Sequence, residues 1–181
     1  MDIILTNDYQ YIDLGLPSGT LWATCNVGAK RPTDGGYFLA FGETTEKDSY
    51  STLEHALRDK RFEGTAPLEF DSVHLLMGGD WELPTKEQLE ELLCSVKLYR
   101  KDSGYEVYES LYNDAKITIP FTGYMDSNRV EEKHSHIYLW SKTAVGKEFW
   151  SAYFARNGQQ GGSYYYGAYG HCMRGVINRK K

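Results

Sequence analysis

The chain has few cysteines and no long apolar run. Its 181 residues include only three cysteines, Cys25, Cys94 and Cys172, and none belongs to a CxxC pair. An odd count without that spacing excludes a zinc ribbon and defines no disulfide framework, although a Cys25–Cys172 bridge is compatible with the sequence. No run approaches the roughly 20 apolar residues that cross a bilayer, so we expect no membrane span. The first ten residues, MDIILTNDYQ, also lack the basic and apolar regions of a secretory signal.

The sequence lacks a basic excess and the common catalytic motifs. A net charge of −5 argues against a nucleic-acid partner, because such proteins carry a basic stripe. GxSxG, P-loop and GxGxxG patterns do not occur. His134 and His136 alternate as two imidazoles on one side of a strand would, but no third ligand accompanies them. We therefore expect no catalytic residues, no metal and no cofactor.

Tyrosine and glycine are abundant instead. The chain contains 15 Tyr, against 7 Phe and 4 Trp, together with 18 Gly. Tyrosine rings give large amphipathic contact areas, and this pairing with glycine is typical of loop-rich recognition surfaces. The length fits one domain, which we place over residues 1–181.

Local patterns predict helices before β-structure. STLEHALRDKR (51–61) has Leu53 and Leu57 spaced by four, and DSVHLLMGG predicts a short helix that starts at Asp71 and stops at Gly78. LPTKEQLEELL predicts a third helix, with Thr85 as N-cap and Gln88 at the capping-box position. From Tyr105 onward, alternating runs predict strands. Two or three helices in the N-terminal half and a β-rich C-terminal half predict the α+β class.

Five segments occur in an order that resembles a known family. They read YIDLGLPSGTLWATCNVGA (11–29), GGDWELPTKEQLEELL (78–93), ITIPFTGY (117–124), LWSKTA (139–144) and YGHCMRGV (169–176). This series is similar to a large family of surface domains from gut anaerobic bacteria and their phages, which supplies variable proteins of diversity-generating retroelements. The chain departs from it in reading MRGV where the family has VRPV, and WSK where it has WSS.

The resemblance carries expectations about fold and function. It implies a C-type-lectin-like fold, related to that of formylglycine-generating enzymes, in which residues 9–148 are a scaffold and residues 149–178 a variable ligand-binding region. Core packing is expected for the four tryptophans, Trp22, Trp81, Trp140 and Trp150, which lie in the family's scaffold motifs. The EPN, QPD and WND runs of calcium-dependent sugar-binding lectins are missing. Cys94 and Cys172 lack the local motif of the related enzymes' active-site cysteines, so we predict a protein that is not an enzyme.

The last thirty or so residues differ from the rest of the chain. No acidic residue follows Glu148, and residues 150–171 read WSAYFARNGQQGGSYYYGAYGH. Tyrosines among Ser, Asn and Gly have the composition of antibody paratopes, whereas a core strand would carry Val, Ile and Leu. Alternation places Tyr164 and Tyr166 on one face and Tyr165 on the other, so some of the rings point inward. The predicted ligand-binding residues are Tyr153, Arg156, Asn157, Gln159, Gln160, Ser163, Tyr164, Tyr165, Tyr166 and Tyr169.

Three functions compete at this stage. The first is a ligand-binding display protein, a retroelement variable protein on a cell surface or phage virion, recognising a protein or glycan receptor. The second is a surface, fimbrial or tail-fibre module with a structural role only. The third is an enzyme of the sulfatase-modifying type, which would require Cys94 and Cys172 close together in an open pocket.

Overall fold

The computed structural model describes residues 5–6 and 9–179. Its strands form sheets with the orders β1-β2-β3-β13, β12-β11-β10-β4, β5-β6-β7 and β8-β9. In chain order the elements are β1 (Leu5–Thr6), β2 (Tyr9–Asp13), β3 (Leu21–Ala23), β4 (Phe62–Thr65), a 3₁₀ turn (Leu68–Phe70), α1 (Ser72–Met77), α2 (Lys86–Ser95), β5 (Val96–Lys101), β6 (Tyr105–Ser110), β7 (Lys116–Pro120), β8 (Tyr124–Asp126), β9 (Arg129–Glu131), β10 (His136–Gly146), β11 (Glu148–Ala155), β12 (Gln160–Tyr166) and β13 (Val176–Ile177).

The predicted α+β class, with two or three helices in the N-terminal half of a C-type-lectin-like fold, is wrong. The structure is mostly β-sheet, with 42% of residues in strands and 11% in helices. Only two α-helices occur in the described part of the chain, and they comprise 6 and 10 residues. Sheet structure begins with β1 and β2, so helices do not dominate the first half.

Residues 51–60 account for much of that error, because the helix predicted there is a series of turns. The amide of Glu54 donates to the carbonyl of Ser51, and that of Arg58 to His55, so each bond closes a four-residue turn. Leu57 is buried whereas Leu53 is 77% exposed. The spacing of four between the leucines therefore does not create a common apolar face, and nothing stabilises a helix.

The other two predicted helices are confirmed. In α1, the Asp71 side chain caps the helix by accepting from the amide of His74, and Gly78 ends it with a φ of 70°. In α2, Thr85 and Gln88 form a complete capping box. Leu89, Leu92 and Leu93 of this helix are all buried. The capping box and this buried apolar face together explain why such a short segment forms a helix.

The β12-β11-β10-β4 sheet lies between two hydrophobic cores. Ile137, Trp150 and Phe154 project from one face into a core that also contains Leu89 and Leu92 of α2. Trp140 and Phe149 project from the other face into a core with Phe41. The expected core packing of Trp22, Trp81, Trp140 and Trp150 is confirmed, since all four are buried. Core side chains therefore cover both faces of the sheet near Phe149 and hold the tyrosine-bearing strands β10, β11 and β12 in place.

Candidate ligand-binding surface

Five tyrosines lie together on one face of the β12-β11-β10-β4 sheet. Tyr138 of β10 pairs with Tyr153 of β11, and Tyr165 of β12 projects from the same face because side chains alternate along each strand. Tyr124 and Tyr169 pack beside them from outside this sheet. We call Tyr124, Tyr138, Tyr153, Tyr165 and Tyr169 the tyrosine cluster.

The rings of the tyrosine cluster contact one another mainly edge to face. Ring centroids lie 5.0 Å apart for Tyr124 and Tyr138, 5.7 Å for Tyr138 and Tyr165, and 6.1 Å for Tyr138 and Tyr153. Tyr124 and Tyr169 are 5.8 Å apart. These separations suit aromatic pairs that stabilise each other beyond simple burial, so the rings are held in fixed orientations. Tyr138 is buried, and the other four are half-buried.

His171 lies at the base of the tyrosine cluster. Its ring stacks on Trp140 at 4.0 Å and is 5.1 Å from Tyr138 and 5.2 Å from Tyr165. Nδ1 shares a hydrogen bond of 2.9 Å with the Ser151 hydroxyl, while the buried Nε2 has no hydrogen-bond partner among the residues described. The backbone amide of His171 donates to the Leu39 carbonyl, and the Leu39 amide donates to the His171 carbonyl. These two hydrogen bonds fix the backbone that carries the imidazole.

Burial controls the protonation of these groups. It lowers the pKa of His171 to about 3, so the imidazole is neutral in neutral solution. Burial also raises the pKa of Tyr124, Tyr138 and Tyr165. The Tyr138 hydroxyl donates to the carboxylate of Glu132 at 2.5 Å, which favours the protonated phenol further. Tyr124, Tyr138 and Tyr165 therefore contribute neutral phenol rings to the cluster, with the Glu132 carboxylate at its side.

Small residues on β12 keep part of this face open. Gly161 lies opposite Tyr153, and Ser163 opposite Ser151, so both are on the side of the sheet that carries the tyrosine cluster. Ser163 is exposed and Gly161 half-buried. A ligand can therefore approach the rings across β12.

The ten predicted residues all retain solvent access, but they do not form one surface. Asn157, Gln159, Gln160, Ser163 and Tyr166 are exposed, and Tyr153, Arg156, Tyr164, Tyr165 and Tyr169 are half-buried. Tyr153, Ser163, Tyr165 and Tyr169 come together at the cluster. Tyr166 is 50% exposed at the end of β12 and lines three adjoining grooves.

The remaining five point elsewhere. Asn157 and Gln159 bond to each other in the turn between β11 and β12. Gln160 donates to the Leu93 carbonyl, and Tyr164 packs against the core that contains α2. Arg156 donates to the Asp102 carbonyl and lies 5.7 Å from the Phe121 ring. These bonds give Gln160 and Arg156 a role in holding the hairpin to the rest of the fold.

Sequence reasoning missed Tyr124, Tyr138 and His171. Tyr138 precedes the tryptophan of LWSKTA by two residues, so alternation already placed it on the same face as Trp140. The pairing of Tyr138 with Tyr153 was the missing information, since strand register is a long-range property. No local pattern marked Tyr124 or His171.

The cysteines do not form a reactive pair. All three thiols are free, with Cys94 exposed on α2 and Cys172 buried. The Cys172 thiol contacts the Thr122 hydroxyl at 3.3 Å, and burial raises its pKa to about 11. Cys172 is therefore protonated at neutral pH and is a poor nucleophile.

The residues that the structure describes contain neither a membrane-spanning helix nor a metal-binding cluster. Over residues 5–6 and 9–179, no helix is long and apolar enough to cross a membrane. Within that part of the chain no group of three His, Cys, Asp or Glu side chains is placed to hold a metal ion.

Comparisons with family models, curated proteins and solved structures found no match to this chain.

Proposed function

We propose that this chain is a ligand-binding display protein that recognises a protein or glycan receptor through the tyrosine cluster and the open positions beside it. The observation that carries the proposal is the tyrosine cluster, in which four half-buried rings surround the buried ring of Tyr138 on one face of the β12-β11-β10-β4 sheet. Contiguous exposed aromatic surface on a soluble domain usually marks an interaction site. Tyrosine is also among the residues that contribute most to binding interfaces.

The rigid base under the rings supports this function. Trp140 and His171 stack beneath the cluster, and the edge-to-face contacts restrict the tyrosine rotamers. The side-chain entropy is lost on folding, so binding incurs little further ordering cost. A receptor can therefore be bound by a surface that already has its final shape.

The resemblance extends the proposal to a retroelement variable protein, displayed on a cell surface or on a phage virion as a receptor-binding protein. Comparing the gene between isolates tests this extension. Adenine-linked differences should concentrate in codons for outward positions, such as 153, 163, 165 and 166. Codons for the core positions Trp150 and Phe154 should not vary. Differences spread evenly over residues 9–178 would contradict the extension.

Binding itself is tested with a labelled protein on a glycan array and on a panel of bacterial cells. We expect selective binding that Ser163→Arg abolishes, because a long cation there covers the open part of the face. Thr33→Arg, at an exposed position of a separate loop, is the matched control and should bind normally. Both variants should unfold at the temperature of the wild type. Absence of selective binding, or equal effects of the two variants, would contradict the proposal.

A further inference from the structure

A second recognition element lies at the end of β12, beside Tyr166. A groove of about 610 Å³ runs between the end of that strand, the hairpin that joins β10 to β11, and the turns at residues 52–60. This volume lies in the range of small-ligand sites. Phe149 and Leu57 are buried beneath it, and Tyr166 and Leu53 stand exposed at its sides.

The hairpin places a cation at the groove. Val145 pairs with Glu148, so Gly146 and Lys147 form a two-residue loop, and Gly146 adopts the positive φ of 64° that suits the first position of such a turn. Lys147 at its tip is exposed, and the part of the chain that the structure describes offers its ammonium group no ion pair.

The charge around this groove is opposite to that of the whole chain. Arg58, Lys60 and Lys147 line it, against a single acid, Asp59, which is paired with Arg58 at 3.4 Å. The full chain carries −5. Three cations on an acidic protein favour an anionic ligand at this position.

A neutral histidine adds a hydrogen-bond acceptor. His55 lines the groove, and Nε2 is 2.8 Å from the Phe41 carbonyl, so the proton must lie on Nε2. Nδ1 is then an acceptor, and nothing else among the described residues bonds to it. Burial lowers the pKa of His55, which preserves this neutral form.

We infer that this groove binds an acidic sugar residue, with a carboxylate or sulfate group directed to Lys147, a hydroxyl donated to His55, and the ring face against Tyr166. An acidic sugar has an apolar ring face, hydroxyl groups and an anionic group. These features match the aromatic ring, the hydrogen-bond acceptor and the cation that line the groove. The inference goes beyond the proposed function, because it places a second ligand site beside Tyr166 and names the chemical class of the group bound there.

The test uses three tetrasaccharides and titration calorimetry with the full chain. A galacturonic acid tetrasaccharide provides carboxylates, a sulfated galactose tetrasaccharide provides sulfates, and the fully methyl-esterified galacturonate retains the ring without the charge. We expect at least one anionic probe to bind, more weakly as salt is added, and the ester not to bind. The preferred anionic probe identifies the group. Equal binding of the ester, or no binding of either anionic probe, would overturn the inference.

Charge reversals localise the site. Lys147→Glu should weaken binding of the anionic probe by about tenfold or more. Lys101→Glu, an exposed position on β5, makes the same change in net charge and should have less than about a twofold effect. Equal losses in both variants would show that only net charge matters and would overturn the inference. The proposed function is judged separately by Ser163→Arg, which leaves the groove residues unchanged, so one idea can fail without the other.

Discussion

Gly162 on β12 is the position where the structure predicts the sharpest response to a single added methyl group. It lies opposite Ala152, and a Cβ built on it would be 2.0 Å from Cζ2 and 2.4 Å from Cη2 of Trp150. Trp150 is buried in the core that also contains Leu89 and Leu92 of α2, so a movement of its indole disturbs that packing. Gly162→Ala must displace the ring or bend β12. Overpacking of this kind costs about 2–3 kcal/mol.

Gly161 provides the matched control on the same strand. The atoms nearest to a Cβ there belong to the Tyr153 side chain, the closest at 3.3 Å, and a movement of a few tenths of an ångström by this half-buried side chain relieves the contact. Neither glycine has the left-handed φ that excludes alanine. We expect Gly161→Ala to change stability by less than about 1 kcal/mol, since the unfolded chain loses some freedom in compensation.

Urea unfolding followed by tryptophan fluorescence measures both variants. Gly162→Ala should lower the midpoint and, for a chain of this length, the melting temperature by about 5–10 °C. Gly161→Ala should leave both nearly unchanged. Equal effects of the two substitutions would refute the packing of Trp150 against β12, and with it the assignment of the two faces of the sheet.

Two further changes probe the base of the surface and the predicted helix. Folding lowers the pKa of His171 to about 3. Below about pH 6.5 the unfolded chain therefore binds a proton that the native state does not. Acidification then lowers the free energy of unfolding by up to about 1.4 kcal/mol per pH unit until the folded pKa is reached. His171→Gln should reduce the loss of stability between about pH 7 and pH 5 by roughly 2 kcal/mol in urea titrations; an unchanged pH dependence would contradict the burial of a neutral imidazole. Thr85→Ala removes the capping box of α2 and should cost about 1 kcal/mol in the same assay, against no change for Thr33→Ala, and equal midpoints for the two would contradict the role of the cap.

Local signals in the sequence were sufficient for some elements. The capping residues and apolar spacing of 85–95 are all within one helix, so α2 could be predicted from that segment alone. The alternation in 148–155 likewise predicts β11. The helix expected at 51–61 fails because burial of His55 and Leu57, and exposure of Leu53, are decided by distant parts of the chain.

The candidate surface could be predicted only in part for the same reason. The tyrosines of 153–169 stand out by composition, and alternation correctly indicates that neighbouring rings face different ways. Tyr124 and Tyr138 join them through pairing between strands, which no local pattern contains. Arg156 and Gln160 have the residue types of a contact surface, yet their bonds to Asp102 and Leu93 hold the hairpin in place.

The most direct measurement is the response of the tyrosine rings to the bound receptor. Nuclear magnetic resonance spectra of protein labelled on its tyrosine rings, recorded while the ligand found in the cell and glycan screens is added, report each ring separately. Resonances of Tyr153, Tyr165 and Tyr169 should shift, while that of Tyr108, buried in the core against Phe154, should stay in place. Shifts confined to rings outside the tyrosine cluster would contradict recognition through this face of the sheet.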